Sequence, residues 1–378
     1  MKRTLLITID FPPMFGGVAN YWSNLCRQLP ADNFVVLASE YNNTLDFDIK
    51  QNYLIYRKNI ISNLKWMWPK WLPLFWHTWR LVRQEKIQRL IVAHVLPTGT
   101  VAYLMKKIFK IPYLISVHGL DVAMTQVRPR KRWLLRLICR NASGVVTNSK
   151  YTHELLNSIC SISQPVSTVY PCPNFVYENI DSDRLEEFKK SFKLHNKKIL
   201  LTVGRLVERK GHDKVIAAMQ RVIQKFPNVV YLIVGQGPEL DKLKNQVKGA
   251  NLGESVLFFS DVMNKEVPLF YHLSDIFIMP SRQLDDGDIE GFGIVYLEAN
   301  CYGKPVIAGR AGGAVEAVEE GVNGLLVNPL SESEIAKAIF LLLQNPRRAQ
   351  ELGQRGKLRV EQKFNWSEQS KKLIKLLN

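Results

Sequence analysis

At 378 residues the chain is long for one domain and sufficient for two, and 46% hydrophobic with 22% charged residues excludes a disordered or fibrous protein. The net charge of +17 is uneven: residues 1–175 hold 22 Lys/Arg against 8 Asp/Glu, a balance of +14, and the rest of the chain holds +3. A basic half calls for an anionic partner, whether phospholipid, phosphorylated substrate or nucleic acid, and the sign alone does not choose among them.

The chain opens with Met1-Lys2-Arg3 and a short apolar run that ends in Asp10, too short for a signal peptide. Apolar runs at residues 5–9, 34–38, 89–93, 113–117 and 144–147 read as strands, with helical patterns between them. A second series follows at 198–203, 229–234, 256–259, 276–279 and 305–308. Strands alternating with helices predict two α/β domains with doubly wound parallel sheets and right-handed crossovers. A polar stretch near 174–196, with a charge run at 181–190, separates them. Domain boundaries are placed at 1–175, 176–360 and 361–378. A helix at about 331–343 stops at Asn345-Pro346, and more helix runs to Asn378.

No apolar run reaches the ~20 residues of a spanning helix. Cys26, Cys139, Cys160, Cys172 and Cys301 are scattered without C-x-x-C spacing, which reads as reduced, packed thiols rather than a disulfide framework or zinc site. Sequons at Asn42, Asn141 and Asn365 are chance matches without a secretion signal.

Ligands of doubly wound sheets bind outside the carboxyl ends of the strands, and the residues with chemical potential stand there. Gly16 and Gly17 lie in the first strand-to-helix loop, where glycine permits positive φ and close backbone approach to a phosphate; a plain turn is the simpler reading. His118, followed by Gly119 and Asp121, comes directly after a strand, and His94 after another; a lone His is more often packed than catalytic. Gly204, Arg205 and Lys210 follow the strand that opens the second domain, and two cations at a strand end suit a diphosphate, although cations taken singly are mostly solvated surface. The densest block is Asp288-Ile289-Glu290-Gly291-Phe292-Gly293-Ile294-Val295-Tyr296-Leu297-Glu298. Gly291 and Gly293 offer backbone N–H groups at a helix start, and Glu290 and Glu298, about two helical turns apart, accept hydroxyls near the two ends of an extended ligand. Helix capping is an equal reading of the same glutamates.

Glu290-x7-Glu298 around Gly-Phe-Gly-Ile resembles the family 4 retaining glycosyltransferases. The resemblance runs over nearly the whole chain: Pro12-Pro13, Gly16-Gly17, Val117-His118-Gly119-x-Asp121, Asn148-Ser149, Pro171-x-Pro173-Asn174, Val203-Gly204-Arg205-Leu206-x5-Gly211, Val234-Gly235-x-Gly237-Pro238, Ser274-Asp275 with Pro280-Ser281, and Gly312-Gly313. It implies the GT-B fold, two Rossmann-like doubly wound domains facing across a cleft, with a C-terminal helix packing back on the acceptor-binding first domain. It further implies that Arg205 and Lys210 hold a nucleotide diphosphate, Glu298 the ribose, and Glu290 with the backbone of Gly291, Phe292, Gly293 and Ile294 the sugar. His118 then touches the donor sugar, and Gly16, Gly17 and Gly204 approach the phosphates. Catalytic roles fall to Arg205, Lys210, Glu290 and His118. Within the family the block most resembles mannosyltransferases that use GDP-mannose to build phosphatidylinositol mannosides or polysaccharide precursors. UDP-sugar transferases share the framework, and an inactive GT-B binding module, a phosphorylase or an epimerase are the other readings.

No cofactor or metal is expected. Gly235-Gln236-Gly237-Pro238 lacks the third glycine of a dinucleotide fingerprint, and Asp286-Gly287-Asp288 is read as a loop before Glu290 rather than a Mg²⁺ site. Trp66, Trp68, Trp71, Trp76 and Trp79 stand among Lys65, Lys70, Arg80, Arg83 and Lys86, and Trp133 within the basic run 128–136. Aromatics with cations, short of spanning length, are what an interfacial anchor needs; filling the first domain's core is the plainer alternative. The expected partners are a nucleotide-sugar donor, a lipid-linked or saccharide acceptor and an anionic membrane surface, with no nucleic acid. The expected place is the cytoplasm, peripheral to the inner face of the cell membrane.

Overall fold

Each apolar run becomes a strand, and every strand pairing is parallel. The computed structural model describes all residues except 15, 65, 127 and 174–180. Lys65, Asn174 and the 175/176 boundary therefore lie outside the described residues. The chain forms two units, one of Met1–Pro171 with Asn365–Asn378, the other of Cys172–Phe364.

The first unit holds β1 (Thr4–Thr8), β2 (Phe34–Ser39), β3 (Leu54–Lys58), β4 (Arg89–Val92), β5 (Tyr113–Val117), β6 (Gly144–Thr147) and β7 (Val166–Thr168), ordered β3-β2-β1-β4-β5-β6-β7. In β1, β5 and β6 every residue is buried, because helices cover both faces. The order reverses between β1 and β4, which pair Leu6 with Ile91, and such a switch point opens a crevice at the carboxyl ends. The final helix, Trp366–Leu377, belongs to this unit. Asn365 caps it by accepting from Glu368 N–H at 2.9 Å, and Leu373 and Leu377 enter the core beside Leu6, Leu25 and Leu114. Full burial of each leucine contributes roughly 1.5–3 kcal/mol. Gln369 adds a polar anchor by accepting from Tyr170 N–H at 2.9 Å.

The second unit holds β8 (Lys198–Val203), β9 (Val229–Val234), β10 (Val256–Phe259), β11 (Ile276–Met279), β12 (Val306–Gly309) and β13 (Gly324–Val327), ordered β10-β9-β8-β11-β12-β13. Its switch point lies between β8 and β11. The helix Glu332–Gln344 starts at Ser331, whose hydroxyl accepts from Glu334 N–H, and Pro346 opens the next helix, Pro346–Lys363, at the position where its missing N–H costs nothing.

Three strands escape the sequence pattern: β3, β7 and β13. β3 and β7 are edge strands with no fully buried residue, so no continuous apolar run marks them. β13 is also an edge strand; its short apolar run Leu325-Leu326-Val327 was passed over in the sequence.

Candidate functional site

In the second unit the residues following β8 and those preceding the helix Ile294–Cys301 meet. Glu208, Arg209 and Lys210 form one tight turn. Lys210 is buried, and its ammonium lies 2.5 Å from Glu290 Oε2; Arg209 Nη1 lies 2.8 Å from the same oxygen. Arg209 Nε stands 3.1 Å from Asp288 Oδ1. Burial pushes the Glu290 carboxyl up, but Lys210 and then Arg209 more than offset it and hold it at about 2. Both cations sit on Oε2, and Oε1 has no protein partner among the described residues. A fixed carboxylate with one free oxygen is suited to accept a hydroxyl.

Glu298 lies two turns along on the same segment and is buried. It accepts from Tyr271 Oη–H at 2.8 Å. Burial raises it to about 7, although the Tyr271 hydrogen bond and Lys210 pull the other way. The two glutamates of the motif thus differ by environment: one paired with cations, the other buried and held by a tyrosine hydroxyl.

The backbone between them is fixed by glycine. Gly293 takes φ 87 at the helix start, and a Cβ there would lie 2.3 Å from the Tyr296 ring. Gly313, after β12, donates its N–H to Glu290 O at 2.9 Å, and a Cβ on it would lie 2.0 Å from Gly291 O. The Phe292 side chain is buried against Phe364, so only its backbone is available to a ligand. Ile294 is the first helical residue. Arg205 follows Gly204 beyond β8; its side chain is exposed and has no protein partner among the described residues. An exposed guanidinium five residues before buried Lys210 is chemically suited to an anionic ligand.

Asp286 accepts from Asp288 N–H at 2.9 Å, closing a turn at Gly287, and Asp288 faces Arg209. Both carboxylates are engaged in shaping the loop. No group of three or more His, Cys, Asp or Glu suited to a metal occurs among the described residues.

In the first unit, Asp10 after β1 and His94 after β4 meet across the switch point, with Oδ2 and Nε2 3.1 Å apart. His118, after β5, places Nε2 3.0 Å from Ser116 Oγ and its ring edge-to-face on Tyr21. Its N–H donates to Asp121 Oδ1 at 3.0 Å, and its carbonyl accepts from Asn148 Nδ2 at 3.2 Å. Burial, reinforced by His94, lowers the imidazole to about 3, so it is neutral at physiological pH. Asp121 therefore orients this loop through the His118 backbone.

The conformation expected of Gly16 and Gly17 is corrected. Gly16 is extended at φ 175, Gly17 begins the helix Gly17–Arg27, and a Cβ on either meets nothing within 4 Å. Open space in front of a helix N-terminus, rather than a left-handed turn, is what this loop offers. The tryptophan window also divides. Trp66, Trp68 and Trp76 are 78%, 86% and 57% exposed, as Trp133 is at 61%, whereas Trp71 and Trp79 pack against the core. No helix among the described residues is long and apolar enough to cross a membrane.

Sequence reading missed Arg209 and Tyr271. Arg209 had a signal, since it adjoins Lys210 in a turn of two successive cations. Tyr271 had none: its partner Glu298 is 27 residues away, and pairing at that separation is set by the fold.

Residues 15–174 match the model of Glycosyltransferase Family 4, and residues 183–359 that of Glycosyl transferases group 1. A GDP-mannose-dependent alpha-(1-6)-phosphatidylinositol monomannoside mannosyltransferase of Mycolicibacterium smegmatis is 29% identical, covering 99% of this chain and 98% of the relative. A GDP-mannose-dependent monoacylated alpha-(1-6)-phosphatidylinositol monomannoside mannosyltransferase of Corynebacterium glutamicum is 28% identical, covering 100% of this chain and 98% of the relative. Among solved structures, Anabaena HepE with UDP and glucose superposes with a TM-score of 0.83 at 19% identity, covering 100% and 99%. Sucrose-phosphate synthase from Thermosynechococcus elongatus gives 0.83 at 22%, covering 100% and 98%. These structures establish the fold. With two Rossmann-like sheets, the Glu290-to-Glu298 site and both halves matched, the chain belongs to the family 4 glycosyltransferases of the GT-B fold.

Proposed function

We propose that this protein is a retaining hexosyltransferase that moves mannose from GDP-mannose to a lipid-linked or saccharide acceptor at a membrane surface. The observation that carries the reading is Glu290, fixed by Lys210 and Arg209 with one oxygen free, eight residues before buried Glu298. In this reading Arg205 and Lys210 hold the diphosphate, Glu298 the ribose hydroxyls, and Glu290 with the N–H groups at the helix start the sugar. The acceptor oxygen bonds to the anomeric carbon as the bond to the diphosphate breaks on the same face. The departing diphosphate takes the acceptor's proton, so no protein base is required. The protein's share is positioning and charge stabilisation. Mannose from GDP-mannose is favoured by the relatives that span nearly this whole chain. Exposed Trp66, Trp68 and Trp76 within a basic unit support the membrane surface.

The test is titration with GDP and with UDP, with and without EDTA, followed by NMR of the product's anomeric proton. Tight metal-independent GDP binding and retained configuration are expected. UDP selectivity replaces the donor, inversion removes the mechanism, and binding without transfer to any acceptor leaves a binding module.

A further inference from the structure

A pocket of about 220 Å³ lies at the edge strand of the first unit. One wall is β3, where Tyr56 and Lys58 share a face; the other is the helix Leu72–Gln84, with His77, Arg80, Leu81 and Gln84. His77 and Arg80, three residues apart, lie on one helical face. Lys58, His77 and Arg80 have no hydrogen-bond or ion-pair partner for their side chains among the described residues. The nearby carboxylate, Glu85, is taken by Arg3 at 2.5 Å and by Tyr56 Oη at 2.7 Å. Burial, then Lys58 and Arg80, lowers the His77 imidazole. Cations converging on one cavity without an anion repel one another, and a phosphate oxygen relieves that repulsion through charge-assisted hydrogen bonds.

The surroundings indicate where the phosphate comes from. Trp76, next to His77 in the chain, is 57% exposed, and Trp66, Trp68 and Leu72, in the segment leading into and opening the same helix, are exposed as well. Indole rings beside a cationic pocket match the level at which a bilayer presents headgroup phosphates. We propose that Lys58, His77 and Arg80 form a headgroup pocket for the phosphate of an anionic phospholipid, with Trp76, Trp66 and Trp68 seated at the membrane–water interface. This rests on the membrane reading above and adds a defined seat to it.

The full chain is sedimented with phosphatidylcholine vesicles, with and without phosphatidylglycerol. Wild type is expected to bind the anionic vesicles, and Lys58→Gln/Arg80→Gln to bind them about tenfold or more weakly. Lys242→Gln/Lys265→Gln, an equal charge change in the other unit, is expected to bind as wild type. Arg80→Lys keeps the charge but loses the planar fork, and is expected to weaken binding several-fold. It also carries the test if the double variant fails to fold. Arg80→Lys equal to wild type, or the two double variants equal to each other, means diffuse attraction and overturns the pocket. Millimolar inorganic phosphate, beyond chloride at equal ionic strength, is expected to compete with the vesicles; no competition beyond chloride overturns the phosphate seat, and phosphate binding by a wild type that ignores anionic vesicles overturns the lipid as its occupant. A wild type indifferent to anionic vesicles overturns the membrane reading itself.

Discussion

Lys210 and Glu290 approach to 2.5 Å, one in the turn after β8 and the other just before the helix Ile294–Cys301. Lys210 is buried and the Glu290 side chain is 13% exposed, so the Lys210 charge depends on this carboxylate. Removing the carboxylate in Glu290→Gln leaves buried Lys210 without its ion-pair partner. A loss of roughly 3–5 kcal/mol is expected, the range for breaking a buried pair. Urea denaturation of the two proteins measures it, and a loss under about 1 kcal/mol contradicts the paired geometry.

Arg205 is predicted to behave oppositely. It is exposed and touches no protein partner among the described residues. Arg205→Ala is expected to leave the unfolding midpoint unchanged while lowering turnover about 10²–10³-fold, the scale for removing one charge-stabilising group. Arg209→Ala, which breaks contacts to Glu290 and Asp288, is expected to lower both. Parallel melts and rates separate the two arginines.

The two glutamates titrate apart, and their contributions to stability have opposite signs. Glu290, held at about 2, stabilises the fold fully above its ordinary 4.5, and that contribution disappears as pH falls through 2. Glu298, raised to about 7, binds a proton in the folded state that the unfolded chain gives up near 4.5. Its cost therefore develops as pH rises from 4.5 through 7 and reaches on the order of 3 kcal/mol above that. Glu298→Gln is expected to gain stability relative to wild type from pH 5 to pH 8 and to lose nucleotide affinity. Calorimetric melts across that range check it; a stability difference flat in pH rejects the raised carboxyl.

Gly313→Ala places a methyl 2.0 Å from Gly291 O, a backbone atom with no side chain to swing aside. The strand-end loop has to move and carries the Glu290 segment with it. Weaker nucleotide binding is expected, together with a lower unfolding midpoint. Gly16→Ala, where a Cβ meets nothing, is expected to fold as wild type, so any loss of turnover there reports ligand approach alone.

Leu373→Ala removes a fully buried side chain from the first unit's core. A loss of about 2–5 kcal/mol is expected by equilibrium denaturation.

Ten strands were legible because buried parallel strands are written as unbroken apolar runs, as in Leu5-Leu6-Ile7. β3 was not, since an edge strand ending in Tyr56-Arg57-Lys58 looks like any polar segment. At the site, Glu290, Glu298, Arg205 and Lys210 were singled out by motifs whose roles came from the family resemblance; spacing alone left helix capping and solvated surface charge open. What spacing did not hold was pairing across distance: that Arg209 shares Glu290 with Lys210, that Tyr271 reaches Glu298, that Asp10 meets His94. Gly16 shows the converse: residue type permitted a positive φ, and the chain is extended there with open space beside it.

The last fourteen residues complete the sheet-and-helix unit that the first residues begin. A ribosome must therefore make the whole of Cys172–Phe364 before the face formed by Leu6, Leu25 and Leu114 receives Leu373 and Leu377. At ordinary elongation rates that interval is roughly 10–40 seconds. The unit synthesised first is thus finished last, and during those seconds its uncovered leucines are the part of the nascent chain most in need of a chaperone.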